Sequence, residues 1–179
     1  MRISCKESNE MKNILQTIMI CSLLAVAACS RLQESKASVS GDDSSLLKKP
    51  DSYWKTVLTT DEYKVLREQG TESPYSGTLL YIKDSGVYAC KACGNILFAS
   101  DSKFESGTGW PSFDREIAAG RIIKRADNSG GMTRTEVVCA RCGGHLGHLF
   151  NDGPTGTGNR YCMNSLALSF IPAKNIKNK

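Results

Sequence analysis

Thr133-Arg134-Thr135-Glu136-Val137-Val138-Cys139-Ala140-Arg141-Cys142-Gly143 decides how this 179-residue chain folds. Its first half is rich in β-branched residues, the composition of a short strand. Its second half is C-x-x-C-G, a tight turn in which two thiols point at one ion and the glycine can take a positive φ. The device occurs a second time, where residues 87–89 lead into Cys90-Lys91-Ala92-Cys93-Gly94. Two such knuckles supply four sulfurs, the set that suits tetrahedral zinc. Cys90, Cys93, Cys139 and Cys142 are therefore predicted to hold a structural Zn²⁺ that fastens two hairpins. Two disulfides or a redox-active pair are the other readings of C-x-x-C. A disulfide closing so short a loop restricts the unfolded chain little, and the doubled pattern with its glycines favours zinc. Lys91 and Arg141, one inside each knuckle, are placed to offset the charge of four thiolates.

Around the clasp the pattern is one of short strands. Residues 78–82 and 87–89 flank Lys83-Asp84-Ser85-Gly86, which reads as a hairpin turn. Residues 122–125 and 133–138 flank Asp127-Asn128-Ser129-Gly130-Gly131, another turn, and residues 166–170 form a late strand. Many short strands with glycine-rich turns predict a mainly β, antiparallel fold. Its small core gains from a structural metal. One helix is well signed near the N-terminal side. Thr59 and Glu62 form a capping box, with Leu58 and Tyr63 at staple positions, and Gly70 is placed to end the helix in a left-handed turn. An apolar face of only Tyr63, Val65 and Leu66 marks it as an outer element.

The first 49 residues read differently. Residues 14–28 are mostly apolar, follow Lys12 and end in Val26-Ala27-Ala28-Cys29. That is the layout of a secretory signal, and its end resembles a bacterial lipobox. Residues 1–28 are thus expected to be a signal peptide, with Cys29 the lipidated first residue of the mature chain. Residues 29–49, rich in Ser, Lys and Asp, are a flexible tether, and the folded domain is 50–179. Glu7 and Glu10 are out of place in a signal, so translation is expected to start at Met11. A buried helix or an uncleaved anchor is the other reading. Ser30 lacks the aspartate of inner-membrane retention. The expected address is the periplasmic face of a membrane, the outer one in a Gram-negative cell. The net charge of +5 is spread along the chain without a basic, aromatic-laced cluster, so no nucleic-acid partner is expected. A monomer is the default.

Of eight cysteines, four lie in the knuckles and three in the first 29 residues, which leaves Cys162 in Arg160-Tyr161-Cys162-Met163-Asn164. A free cysteine is commonly a buried inert thiol. Arg160 can favour its thiolate and Asn164 can hydrogen-bond beside it, and an exported protein keeps a free thiol at risk unless it is used. The only histidines, His145 and His148, suit proton delivery near neutrality as well as metal ligation or an ordinary polar role. The loop Phe104-Glu105-Ser106-Gly107-Thr108-Gly109-Trp110-Pro111-Ser112-Phe113 carries Trp110 and Phe113, which read either as core residues or as a pocket wall.

Taken together and in this order, the 106–113 loop, the knuckles, His145-Leu146-Gly147-His148-Leu149-Phe150 and residues 160–165 resemble the methionine sulfoxide reductase B family over roughly residues 53–172. The resemblance implies two antiparallel sheets, sandwich- or barrel-like, with a peripheral N-terminal helix and zinc away from the active site. It implies reduction of methionine-R-sulfoxide in oxidised proteins. Cys162 would be the nucleophile, left as a sulfenic acid. His145 and His148 would supply the proton, Arg160 and Asn164 would steady the sulfur, and Trp110, Phe113 and Phe150 would bind substrate. Many relatives carry a resolving cysteine where this chain has Thr108. With the other thiols in zinc, lipid or a removed leader, a thioredoxin-like external thiol is expected to reduce the sulfenic acid. A zinc-stabilised binding module without catalysis and a thiol oxidoreductase using a C-x-x-C pair are the competing functional readings.

Overall fold

The computed structural model describes residues 44–176. The expected signal peptide, the Met11 start, Cys29 and the tether up to residue 43 lie outside the described residues. Among the described residues three helices come first: α1 (Ser44–Leu47), α2 (Asp51–Val57) and α3 (Thr60–Glu68). Nine strands follow: β1 (Gly86–Cys90), β2 (Ile96–Ala99), β3 (Lys103–Phe104), β4 (Ser112–Phe113), β5 (Ile122–Asp127), β6 (Arg134–Cys139), β7 (His145–Phe150), β8 (Arg160–Met163) and β9 (Leu168–Pro172), with α4 (Ala173–Ile176) behind them. Among the described residues no helix is long and apolar enough to cross a membrane.

The strands form two antiparallel sheets, β2-β1-β9 and β3-β4-β8-β7-β6-β5. Aromatic side chains from their facing sides make the core. Phe98 of β2 stacks on Phe113 of β4 with centroids 4.4 Å apart, Tyr88 of β1 meets Phe113 edge-on at 4.9 Å, and Tyr161 of β8 lies 5.6 Å from Phe98. Because strand side chains alternate, burying Phe113, Tyr161 and Met163 turns Ser112, Arg160 and Cys162 to the outer face of the larger sheet. That alternation places the site.

Three expectations are corrected. Residues 78–82 form no strand: β1 already has β2 on one edge and β9 on the other, so no edge is left. Thr78–Leu80 instead makes a 3₁₀ turn, and Lys103 Nζ takes the Leu80 and Ile82 carbonyls at 2.8 and 2.9 Å. The last strand starts at Leu168, later than expected, because Ser165–Ala167 is a 3₁₀ turn. The described helices begin before residue 50, at Ser44. Trp54 of α2 is completely buried, and Leu46 packs against the same core. In α3 the capping box is present, with Glu62 N donating to Thr59 Oγ1 and Thr59 N to Glu62 Oε2. The left-handed residue, however, is Gln69 (φ 57°) rather than Gly70, which lets Gly70 N reach back to Lys64 O at 2.9 Å. Tyr63, Val65 and Leu66 are all buried.

Candidate active site and metal centre

The two knuckles close alike. Cys90 N donates to Asn95 O and Gly94 N to Cys90 O; Cys139 N donates to Gly144 O and Gly143 N to Cys139 O, all at 2.8–2.9 Å. Gly94 and Gly143 take φ of 72° and 70°. The four sulfurs lie within 4.8 Å of one another, and the closest approaches run between knuckles: Cys90 to Cys142 at 3.7 Å and Cys93 to Cys139 at 3.5 Å. Metal–sulfur bonds of about 2.3 Å place tetrahedral ligands about 3.8 Å apart, whereas a disulfide needs about 2.05 Å. All four thiols are free, so the set has the geometry of a closed four-sulfur metal site. Hydrogen bonds from the neighbouring thiols hold Cys139 well below the usual thiol range, and Asn95 Nδ2 adds a donor to its sulfur at 3.4 Å. Lys91 points elsewhere than expected and pairs with Glu62 at 3.1 Å. Arg141 donates to the Cys93 carbonyl at 2.9 Å, tying one knuckle to the other.

On the outer face of the larger sheet, Cys162 of β8 sits in register between Ser112 of β4 and His148 of β7. Directly opposed residues share a face, so these three side chains form a row. Cys162, His148, Trp110, Asn164, Phe150, Arg134, Thr71 and Gly147 line a pocket of about 120 Å³. Gly147 is needed at its floor: a Cβ there would lie 2.1 Å from the Cys162 carbonyl oxygen.

His145 reaches the same region by an irregularity. Residues three apart in a regular strand face opposite sides. One extra residue in β7 shifts its register with β6, from Val137↔Gly147 to Val138↔His145, and the two imidazoles meet edge-on at 5.3 Å. His148 Nε2 is 2.7 Å from Asp127 Oδ2, which also accepts from Arg134 Nη2 at 2.8 Å. His145 Nδ1 is 2.8 Å from Glu136 Oε1, which Gln69 Nε2 also approaches, at 3.3 Å. Burial lowers the His145 pKa against the pull of Glu136. The neutral ring therefore donates Nδ1–H to Glu136, and Nε2 is buried with no protein partner.

The sulfur of Cys162 has a hydroxyl neighbour, Thr108 Oγ1 at 3.8 Å. Ser112 Oγ donates to Ser106 Oγ at 2.7 Å, and Ser106 Oγ is 2.8 Å from Thr108 Oγ1. Burial pushes the Cys162 thiol above its ordinary value, against the lowering pull of Thr108, the Arg160 charge and Ser112. Arg160 thus acts in the expected direction and burial outweighs it. Its guanidinium clamps Asp152 with two 2.8 Å bonds and lies 4.3 Å from the Phe150 ring centroid.

Asn164 donates from Nδ2 to Leu146 O at 3.1 Å and accepts Glu72 N on Oδ1 at 3.1 Å. Trp110 Nε1 donates to Glu72 O at 3.1 Å. Phe113 is the one predicted pocket residue that the fold removes: it shares the face of Tyr161, is fully buried and stacks on Phe98.

Glu72, Asp127, Glu136 and Arg134 are not singled out from the sequence as site residues. Glu72 is buried, and its carboxylate takes Ser165 N at 2.6 Å and Leu166 N at 2.9 Å. It thereby ties the segment that positions Trp110 to the segment that carries Asn164. In sequence it lies in Thr71-Glu72-Ser73-Pro74, which reads as a loop. Glu136 and Arg134 lie within a predicted strand, where a charged residue reads as solvent-facing.

A SelR domain model matches residues 58–172. The chain is 57% identical over 124 residues to a peptide methionine sulfoxide reductase MsrB of Methanosarcina mazei, covering 69% of this chain and 89% of that protein. It is 53% identical over 122 residues to the protein of that name from Leptospira interrogans, covering 68% and 93%. To the one from Thiobacillus denitrificans it is 50% identical over 124 residues, covering 69% and 94%.

Proposed function

The chain belongs to the SelR domain family, and from that premise we propose that it reduces methionine-R-sulfoxide in oxidised proteins to methionine through Cys162. The observation that carries this reading is the pocket. A thiol outside the metal clasp opens on a small cavity walled by Trp110, Phe150, Asn164 and a carboxylate-held histidine.

A half-buried thiol with a raised pKa rests protonated, so reaction needs its proton moved as the nucleophile forms. His148, beside Cys162 across the β7–β8 pair, is placed to carry that proton to the sulfoxide oxygen, with His145 behind it. Cys162 Sγ attacks the substrate sulfur and the sulfur–oxygen bond breaks. Methionine leaves as the reduced product, and the oxygen and proton end on Cys162 as a sulfenic acid. Trp110 and Phe150 wall the space for the sulfoxide's methyl end. The remaining described cysteines sit in the clasp, and Thr108 cannot resolve the sulfenic acid. An external thioredoxin-like dithiol does so: its first thiol forms a mixed disulfide and releases water, and its second releases Cys162 as thiol.

Cys90, Cys93, Cys139 and Cys142 would hold zinc, which would supply a structural cross-link between the two hairpins. Residues 1–28 act as an export signal and Cys29 as a lipid anchor, supported by Val26-Ala27-Ala28-Cys29, which would place a monomeric domain at the periplasmic face of a membrane. Labelling with a radioactive fatty acid, lost in Cys29→Ala, tests the anchor.

Purified protein with dithiothreitol should turn over the R and not the S epimer of a methionine sulfoxide peptide. After one turnover without reductant, mass spectrometry should show Cys162 oxidised by one oxygen. Turnover of S alone sinks the reading, and an internal disulfide at Cys162 sinks the one-cysteine cycle.

A further inference from the structure

The catalytic pocket, at about 120 Å³, has room for one side chain and not for the polypeptide that bears it. A protein substrate must lay its flanking residues on the neighbouring surface. One wall of the pocket continues into a wider cleft of about 490 Å³ that shares Arg134 and Phe150 with it. The rest of that cleft is lined by Lys124, Arg125, Ala126, Thr133, Thr135, Leu149 and Asn151. Three of its residues are cationic and none is acidic. Arg134 is tied to Asp127, and its Nε is buried without a partner. Lys124 and Arg125 are exposed. Among the described residues neither makes an ion pair, and Lys124 has only the Tyr161 ring beneath it at 5.5 Å. Three neighbouring carboxylates are already engaged, Asp127 by Arg134 and His148, Glu136 by His145, and Asp152, next in the chain to Asn151, by Arg160.

We propose that this cleft is the flanking subsite of the enzyme and selects oxidised methionines with Asp or Glu beside them in the chain. The inference rests on the reductase reading and deepens it by naming a substrate class. Unpaired cations beside the entrance favour an acidic segment, and a basic segment meets like charge there. Each pairing is exposed and therefore modest, and two together give about a fivefold preference in kcat/KM at low salt.

The test uses three peptides, each with one methionine-R-sulfoxide flanked by Glu, by Ala or by Lys, and dithiothreitol as reductant. The wild-type protein should favour them in that order, and the spread should shrink at high ionic strength, where exposed charges are screened. Arg125→Glu combined with Lys124→Glu should reverse the order, which a general loss of activity cannot do. Equal kcat/KM for the three peptides in the wild-type protein, or an order unchanged by the double reversal, overturns the proposal and leaves the reductase reading standing. No turnover of any of the three by folded protein overturns both.

Discussion

The chain keeps cysteine in two settings with opposite consequences. In the clasp, four sulfurs lie within 4.8 Å of one another, their orientation fixed by two copies of one turn. Cys162 lies on a sheet face with no thiol beside it among the described residues, a hydroxyl at 3.8 Å and an open cavity in front. Crowding in the clasp splits its thiols: sulfur–sulfur hydrogen bonds lower Cys139 and raise Cys90 and Cys93, so that they titrate as a set. Burial without such partners raises Cys162, which keeps it unreactive until substrate and a proton carrier are in place. On the proposed reading the same side chain serves as a structural ligand or as a nucleophile according to what shares its volume.

Exchanging serine for cysteine in each setting is the strongest way to break this contrast. Cys139→Ser should lose the zinc proposed for the clasp and with it most folded protein, because a structural zinc site contributes on the order of 10 kcal/mol in small domains. Zinc content by elemental analysis and the thermal melt read the outcome. Strong chelators should act on the wild-type protein in the same direction. Cys162→Ser should leave zinc and melting temperature unchanged while kcat/KM falls by roughly a thousandfold or more, as loss of a nucleophile does. A Cys162→Ser protein that melts like Cys139→Ser would erase the distinction.

The two settings were also unequally legible in the sequence. A C-x-x-C-G turn is local, so four ligands, their glycines and the strands leading into them were readable without knowing the fold. The α3 cap was local too. Residues 78–82 failed because strand pairing depends on which edges are free, and β9, more than eighty residues downstream in sequence, occupies the edge of β1. Phe113 failed because the aromatic pattern of its loop does not say which face β4 buries. The histidines were named, and their meeting depends on an extra residue in β7 that spacing alone does not reveal. Glu72 was invisible because it acts through backbone groups more than ninety residues away.

A smaller effect is expected at the carboxylate behind His145. Glu136 pulls the His145 pKa up against burial. Glu136→Gln should therefore lower it further, to be read as a shift of the ring's NMR titration to lower pH. With less proton affinity at this position, kcat should fall by about tenfold, less than the roughly hundredfold or more of a direct acid–base group, because Glu136 acts through His145. Stability follows with a definite sign. A histidine whose folded pKa lies below the unfolded value near 6.5 contributes stability in full above that pH and loses it as pH falls through the folded pKa. Urea melts between pH 7 and pH 5 should show a deeper loss in Glu136→Gln than in the wild-type protein.

The mildest change separates the two settings at the level of one hydroxyl. Thr108 pulls the Cys162 thiol down against burial, so Thr108→Ala should move the midpoint of iodoacetamide alkylation to higher pH. A contact at 3.8 Å belongs at the weak end of net hydrogen bonding, about 0.5 kcal/mol, or roughly a twofold slower alkylation at neutral pH. Thr108→Ser keeps the donor and should restore the midpoint. The matched change at the clasp is Lys91→Ala. It removes a charge that pairs with Glu62 rather than with sulfur, so zinc retention should be unaffected. If zinc affinity falls in Lys91→Ala while Cys162 alkylation ignores Thr108, long-range charge rather than the contents of each sulfur's immediate volume sets cysteine reactivity here.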